Sequence, residues 1–224
     1  MENNKLILIG MPNGSGQVPA SMVSSLLQLH KPAPCAFMIV ERQMIEIARN
    51  GIVVEALKNK CTHVLMVDDD NPIPADTLEK FIEDDKDIVI APILSRNPNS
   101  KGVHDLCAFY KKEVDGVKLY ENIEQFKDDG FLHKIDGGGT GCMLIKIEVL
   151  QKLFPVYKER IFERTRDVFE KPITVDGKEW TERTMSEDVQ FCERAIENGF
   201  EVWLDSRIKP LHITGNNYVK YGSI

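Results

Sequence analysis

The 224-residue sequence lacks several features that mark particular classes of protein. Its longest apolar run near the start, residues 6–9, is too short for a signal peptide or a membrane-spanning helix. No internal repeat or low-complexity tract is visible. We therefore expect a cytoplasmic protein with no transmembrane segment, built as a single domain, which is the usual outcome at this length.

Basic residues are in the minority. Lys and Arg number 28 against 35 Asp and Glu, so the formal net charge is -7. This balance argues against a partner made of nucleic acid, because such binding depends on clustered positive charge. It leaves room for an anionic small ligand, since a bound cation can reverse the local field.

Cysteine is scarce, and no two cysteines lie close together in the sequence. The sequence has five cysteines and no C-x-x-C motif. An odd number without close pairs predicts neither a disulfide framework nor a zinc site. Reduced thiols agree with a reducing compartment.

The first hundred residues alternate apolar runs with helical periodicity. Strands are predicted over residues 5–11, 36–40, 62–67 and 87–94, and helices over residues 20–29, 43–59 and 77–82. This alternation is typical of a mostly parallel central sheet with helices on both faces. We predict an α/β, Rossmann-like fold in which residues 1–100 form the nucleotide-binding half.

The second half of the chain has a different pattern. Asp115 and Gly116 stand between two strand-like runs and predict a β-hairpin. Further elements are predicted as strands over residues 142–147 and 200–204 and as helices over residues 148–153 and 186–198. Residues 154–183 are charged and contain two prolines, so they are predicted to form an irregular, mobile loop. We expect residues 101–224 to be the mixed half of the same domain.

Three acidic residues follow the third predicted strand directly in the sequence. In residues 62–74, THVLMVDDDNPIP, the apolar strand runs into Asp68, Asp69 and Asp70. Ligands bind at the carboxyl ends of parallel strands, and alternate side chains of an extended segment point the same way. Asp68 and Asp70 are therefore predicted to hold one hard cation that keeps positions open for phosphate oxygens. The alternative is an acidic turn that caps the next helix.

A strand that ends in D-x-D, within this order of elements, resembles the glycosyltransferases of the GT-A fold. The resemblance extends over four blocks and a final His212: LILIGMPNGSGQVP (6–19), IARNG (47–51), DGGGTGCMLIKIEVL (136–150) and MSEDVQFCERAIENGFEVWLD (185–205). It implies a transferase that moves a sugar from a nucleotide-sugar donor to an acceptor, with residues 101–224 as the acceptor and catalytic half.

The resemblance also implies a divalent cation, Mn²⁺ or Mg²⁺, that binds the donor diphosphate. Asp70 would be its direct ligand, Asp68 would act through water or the ribose, and His212 would bind from the C-terminal side. Imidazole suits Mn²⁺ better than Mg²⁺. The donor would be a UDP-sugar or a GDP-sugar, because the loop NGSGQ lacks the acidic residue that some relatives use on the base.

Several other residues would contact the donor by the same resemblance. Pro12 would lie in the segment beside the base, and Asp69 beside the cation ligands. Arg49 would donate to the diphosphate or the sugar, with Asn50 next to it. The backbone amides of Gly138 and Gly139 would bind sugar hydroxyls. Two plainer alternatives stay open, which are a helix-surface arginine at position 49 and a flexible turn at the glycines.

Two acids begin the helix predicted over residues 186–198. In inverting relatives the Asp of such a pair is the catalytic base, so Asp188 would remove the acceptor proton and Glu187 would orient the acceptor or a loop. Acids in the first turn of a helix also occur for electrostatic reasons alone, and some relatives retain configuration.

Two other functions remain as alternatives. A catalytically silent relative would bind a nucleotide-sugar or a glycan without transferring it. A sugar-nucleotide pyrophosphorylase would be expected to carry a basic, glycine-rich signature after the first strand, and MPNGSGQVP has no basic residue. The acceptor is open between glycan, lipid, protein and small molecule, and a homodimer is also open.

Overall fold

The structure is a computed structural model that describes residues 5–114, 116–123, 129–175, 178–215 and 217–220. Within these ranges the α-helices are α1 (Ala20–Gln28), α2 (Ile45–Lys58), α3 (Thr77–Asp84), α4 (Ile147–Tyr157) and α5 (Glu187–Glu197). The strands are β1 (Ile7–Asn13), β2 (Cys35–Glu41), β3 (His63–Val67), β4 (Ile88–Ile90), β5 (Ala108–Val114), β6 (Val117–Asn122), β7 (Leu132–Ile135), β8 (Gly137–Gly138), β9 (Cys142–Lys146), β10 (Thr165–Val175), β11 (Lys178–Met185), β12 (Val202–Asp205), β13 (Leu211–Thr214) and β14 (Asn217–Lys220). The alternation predicted for the first hundred residues is confirmed.

A seven-stranded sheet forms the centre of the fold, in the order β2-β1-β3-β9-β4-β12-β7. The pairs β1–β2, β1–β3 and β4–β12 are parallel. The pairs β3–β9, β4–β9 and β7–β12 are antiparallel. The sheet is therefore mixed, and the expectation of a mostly parallel sheet is not confirmed, because β9 from the second half inserts between β3 and β4 of the first half.

Helices cover both faces of this sheet, as predicted. One apolar cluster joins α2, α4 and α5 to one face through residues such as Ile52, Leu150 and Phe191. A second cluster joins α1 and α3 to the other face through Met22 and Phe81. Neighbouring residues of β3 alternate between the two clusters, as the pleat of a strand buried on both faces requires. Among the described residues, no helix has both the length and the apolar character needed to cross a membrane.

Within the described residues, the second half also forms three smaller sheets. β5 and β6 form the predicted antiparallel hairpin, and β8 pairs with β5 on its other side. Asp115 of the predicted turn lies outside the described residues, and Gly116 has a positive φ of 77° that favours glycine. β13 and β14 form a separate antiparallel pair near the end of the chain.

The prediction of an irregular loop over residues 154–183 is wrong in its secondary structure. α4 continues to Tyr157, and β10 and β11 then pair as an antiparallel hairpin. Pro172 is accommodated because both strands of a two-stranded sheet are edges and the register shifts between Val168 and Ile173. The sequence pair Asp176-Gly177 between the strands was the overlooked hairpin signal. The mobility of this segment stays a prediction.

Two carboxylates share a buried position where α3 ends. The side chains of Asp84 and Asp205 are 3% and 0% exposed, and Arg207 pairs with both. Arg207 Nη2 donates to Asp205 Oδ2 at 2.8 Å and also to Asp84 Oδ1. Burial, followed by the charge of Asp205, raises the pKa of Asp84 to about 6. The folded protein therefore keeps a proton on Asp84 at pH values where the unfolded chain has lost it.

This proton makes the stability of the fold depend on pH. A carboxyl group with a raised pKa stabilises the folded state below its unfolded pKa, and the contribution is lost as the pH rises through about 6. Asp84→Asn removes the titration, so the variant should lose less unfolding free energy than wild type between about pH 5 and about pH 7.5. The difference should be on the order of 1 kcal/mol, since one pKa unit corresponds to about 1.4 kcal/mol. Urea unfolding at the two pH values measures it.

Glu83→Gln is the matched control, because Glu83 precedes Asp84 on the same helix and is exposed. Its pH dependence should follow that of the wild-type chain. Identical pH dependence for wild type and Asp84→Asn would contradict the proton assignment.

Candidate functional site

The three acids after β3 lie in a turn rather than in an extended segment. β3 ends at Val67, and the Asn71 N–H donates to the Asp68 carbonyl at 3.2 Å. The Asp68 N–H in turn donates to the Gly141 carbonyl at 3.1 Å. The alternation of an extended strand therefore does not set the directions of Asp68 and Asp70, and the partners of each side chain do so instead.

Arg49 of α2 joins Asp68 to the beginning of α5. Its Nη2 donates to Asp68 Oδ1 at 3.0 Å, and its Nη1 donates to Glu187 Oε1. The side chains of Arg49 and Glu187 are only 4% and 7% exposed. Burial favours a lower pKa for Arg49, but the carboxylates of Asp68, Glu187 and Asp188 outweigh it and raise the pKa. A permanently charged guanidinium thus ties the strand end to the helix start.

These contacts differ from the donor-binding roles expected of Arg49 and Asn50. Arg49 faces carboxylates, so a diphosphate would have to displace one of them. Its Nε has no hydrogen-bond partner among the described residues. Asn50 is buried and holds the backbone of Phe162, because its amide nitrogen donates to that carbonyl at 2.7 Å and its oxygen accepts that N–H at 3.0 Å. Asn50 therefore positions the segment after α4.

Asp70 and His212 meet, as the predicted cation site requires. His212 Nε2 lies 3.2 Å from Asp70 Oδ2, while His212 Nδ1 lies 2.6 Å from the Leu94 carbonyl. The Ile213 N–H donates to the Asp70 carbonyl at 2.8 Å, so β13 runs directly along the acidic turn. Burial favours a lower pKa for His212, but its hydrogen bonds to Asp70 and Leu94 raise the pKa overall.

The Asp70–His212 pair fits a divalent cation. Two ligands at about 2.1 Å from one metal and at a right angle would be roughly 3 Å apart, close to the separation in this pair. The Leu94 carbonyl orients the imidazole through Nδ1, which is the usual outer support of a metal-binding histidine. No group of three His, Cys, Asp or Glu side chains suited to a metal occurs in the described part of the chain. Phosphate oxygens and water would have to complete the coordination.

The acidic turn carries more negative charge than its partners balance. Arg49 pairs with Asp68 and His212 pairs with Asp70. For Asp69, burial and the charges of Asp70 and Asp68 raise the pKa to about 6. The turn therefore favours a cation in its vicinity.

Asp188 in the first turn of α5 faces the glycine run. Ser186 Oγ and the Val189 N–H, at 2.8 Å, both donate to Asp188 Oδ1. A Cβ added to Gly139 would lie 3.7 Å from Asp188 Oδ2. Ser186 holds the predicted N-cap position of α5 but makes no side-chain cap, because its hydroxyl donates to Asp188.

The glycines at positions 137–139 allow close packing and do not form an open loop. Gly137 and Gly138 form β8, and a Cβ on Gly138 would lie 2.0 Å from Ile90 Cδ1. The Gly139 N–H donates to the Cys107 carbonyl at 2.9 Å. That amide already has a partner, so the expected bond from Gly139 to a sugar hydroxyl would require the partner to change.

Pro12 is buried within β1, and the loop that follows this strand begins after Asn13. Pro12 pairs with Val40 of β2, inside the sheet. Asn13 is fully buried, and its side-chain nitrogen donates to the Gln17 carbonyl at 3.0 Å. Asn13 therefore shapes the loop after β1, and any contact with a nucleotide base would come from that loop.

Sequence reasoning missed two buried polar residues beside the acids. Asn71 is 2% exposed, and its amide donates to the Leu211 carbonyl at 3.3 Å, which links the turn to β13. Its place directly before Pro72, a typical turn signal, could have identified it. Thr140 is fully buried, and its hydroxyl has no partner among the described residues. No sequence signal distinguishes Thr140 from other threonines.

Comparisons with known proteins concern the fold. A scan against protein-family models finds no match, and neither does a search of curated proteins. Among solved structures, the crystal structure of A197 from STIV is similar over 93% of this chain and 85% of that chain, at 15% identity and a TM-score of 0.56. This likeness supports a shared α/β architecture and, at this identity, nothing further.

Two other structures are less similar. S. aureus TarS 1–349 in complex with UDP-GlcNAc matches at 12% identity with a TM-score of 0.47, covering 96% of this chain and 57% of that chain. The inositol-1-phosphate CTP transferase from T. maritima matches at 13% identity with a TM-score of 0.48, covering 95% and 90%. The chain thus spans less than two thirds of the TarS fragment, and neither likeness adds support for the fold.

The buried ion pairs of Arg49 should contribute strongly to stability. Arg49→Met leaves Glu187 buried without its cation, and we expect a loss of about 3–5 kcal/mol of unfolding free energy. Arg166→Met is the matched control, because Arg166 pairs with Glu182 but is 66% exposed. That substitution should cost about 0–1 kcal/mol. Urea unfolding of both variants measures the difference.

A double variant separates the ion pair from lost packing. Because Glu187→Gln neutralises the stranded carboxylate, Arg49→Met and Glu187→Gln together should cost less than the sum of the single changes. Equal costs for the two arginine substitutions would show that Arg49 is not the linking charge.

Proposed function

We propose that the chain is a glycosyltransferase that moves a sugar from a nucleotide-diphosphate donor to an acceptor hydroxyl. The observation that carries this proposal is the meeting of two sets of acids through Arg49, which pairs with Asp68 after β3 and Glu187 at the start of α5. Asp188 directly follows Glu187 on α5, and Asp70 lies two residues after Asp68 in the acidic turn. A pair suited to a cation and a carboxylate suited to accept a proton are the groups that this transfer needs.

The donor would bind at the acidic turn. A divalent cation, Mn²⁺ or Mg²⁺, would offset the charge of the diphosphate, and the imidazole favours Mn²⁺. Asp70 and His212 would be its protein ligands, with Asp68 and Asp69 beside it. The nucleotide would be UDP or GDP, with its base near the loop that Asn13 shapes.

Asp188 would act as the base of an inverting displacement. The acceptor oxygen bonds to the anomeric carbon as the bond from that carbon to the diphosphate oxygen breaks. The acceptor proton passes to Asp188, and the bonding electrons leave with the diphosphate. The hydrogen bonds from Ser186 and Val189 to Oδ1 hold the carboxylate in place. Glu187 would act through Arg49 as a positioning residue and would not touch the substrate.

Two rival activities are outcomes of the same assays. A sugar-nucleotide pyrophosphorylase would consume a sugar-1-phosphate and a nucleoside triphosphate and release pyrophosphate. A silent relative would bind donor without turnover. A cytoplasmic location and a homodimer remain predictions from the sequence.

The proposed base is tested by Asp188→Asn in a panel of UDP- and GDP-sugars with Mn²⁺. The amide cannot take a proton, so donor hydrolysis and transfer should fall by about 10²–10⁴-fold. The thermal shift caused by donor binding should persist, because Asp188 does not contact the cation pair. Turnover and melting temperature are measured on the same preparations.

Asp76→Asn is the control, because Asp76 pairs with Lys80 on α3 and takes no part in the site. It should change neither turnover nor the thermal shift. Undiminished transfer by Asp188→Asn would remove Asp188 from the reaction, and pyrophosphate release from a sugar-1-phosphate and a nucleoside triphosphate would favour the pyrophosphorylase.

A further inference from the structure

A cleft of about 580 Å³ lies between the β10–β11 hairpin and the β5–β6 strands, and we refer to it as the hairpin cleft. Its lining includes Ser186 and Val189 at the start of α5. Both residues donate hydrogen bonds to Asp188 Oδ1. The hairpin cleft therefore reaches the first turn of α5, where the residue proposed as the base lies between two of the lining residues.

Aromatic side chains form part of the wall of the hairpin cleft. Trp180 of β11 is 44% exposed, and Tyr120 of β6 and Phe109 of β5 lie opposite on the neighbouring sheet. The Tyr120 ring lies 3.6 Å from the place of a Cβ on Gly137, so it packs closely against β8. A half-exposed indole in a concave site presents a broad apolar face to a ligand, and the C–H face of a sugar ring matches it.

The charges at the hairpin cleft favour a neutral ligand. Arg183, the cation among the described lining residues, donates from Nε to Asp167 Oδ2 at 3.0 Å and from Nη1 to the Lys118 carbonyl. Its charge is therefore already balanced, and an anionic acceptor would find no uncommitted cation in the lining. Thr184 adds a hydroxyl, and Glu121 adds a carboxylate that accepts from Lys112 Nζ at 3.0 Å and has further acceptor capacity. Both groups can bind sugar hydroxyls.

The size of the hairpin cleft favours a small ligand over a macromolecular surface. Its volume lies within the range of about 300–1,000 Å³ that is usual for small-molecule sites. A stable protein partner would instead cover about 800 Å² of surface. A few sugar rings match the cleft in size, shape and polarity.

We propose that the hairpin cleft binds a neutral saccharide as the acceptor, with Trp180 as the platform on which one sugar ring stacks. This inference rests on the proposed function and deepens it, because it selects a saccharide from among the glycan, lipid, protein and small-molecule acceptors. The saccharide would then bind next to the first turn of α5, which carries Asp188.

Saccharide binding can be measured without turnover. The probe is a panel of methyl glycosides and neutral disaccharides at millimolar concentration, followed by ligand-observed NMR, with the protein alone and with UDP and Mn²⁺. Wild type should bind at least one of them. Trp180→Ala should weaken that binding about tenfold, which corresponds to about 1.4 kcal/mol. Trp180→Phe, which keeps a smaller aromatic face, should restore part of it.

Phe131→Ala is the matched control, because Phe131 is 67% exposed and does not line the hairpin cleft. It should leave saccharide binding unchanged. Absence of binding in both conditions, or binding that Trp180→Ala does not weaken, would overturn the proposal.

The same measurements separate the acceptor proposal from the transferase proposal. Saccharide binding that depends on Trp180, without turnover of any nucleotide-sugar, would support saccharide binding in the hairpin cleft and contradict the transferase proposal. Turnover of a nucleotide-sugar without saccharide binding would support the transferase proposal and contradict the acceptor proposal.

Discussion

The buried guanidinium of Arg49 is the interaction on which the candidate site depends. It lies between a carboxylate after β3 and another at the start of α5, and its own side chain is 4% exposed. An ion in the interior is stable only when partners compensate the loss of water. Satisfying this one cation therefore brings together a strand end from the first half of the chain and a helix start from the second half.

The acidic turn and the hairpin cleft differ in the charge that they present to a ligand. At the acidic turn, His212 pairs with Asp70 and Arg49 pairs with Asp68, while burial and the charges of these two acids raise the pKa of Asp69. Such a turn attracts a cation and, through it, an anionic donor. The hairpin cleft beside Asp188 contains a balanced arginine and exposed aromatic surface, which suit a neutral acceptor. In our proposal, the acidic turn would bind the donor and the hairpin cleft would bind the acceptor, so charge would distinguish the two ligands.

Local patterns predicted the elements of the first half, because buried strands and amphipathic helices leave periodic signals in the sequence. The expectation that Asp70 and His212 lie together came only from the family resemblance, and the two side chains do meet. Local patterns could not reveal that β9 separates β3 from β4, or that the two carboxylate partners of Arg49 lie 19 and 138 residues away, because such pairings depend on tertiary packing. The sequence pair Asp176-Gly177 predicts the β10–β11 hairpin, whereas Pro155 and Pro172 favour the irregular loop that was expected instead.

A thermal-shift titration of UDP- and GDP-sugars, with and without Mn²⁺, shows whether Asp70 and His212 bind a donor through a divalent cation. Asp70→Asn is compared with Asp129→Asn, which alters a second His–Asp pair, to His133 at 2.8 Å. Our account predicts a Mn²⁺-dependent rise in melting temperature that Asp70→Asn abolishes and Asp129→Asn preserves. A donor-induced shift that is independent of Mn²⁺, or one that Asp70→Asn leaves intact, would contradict it.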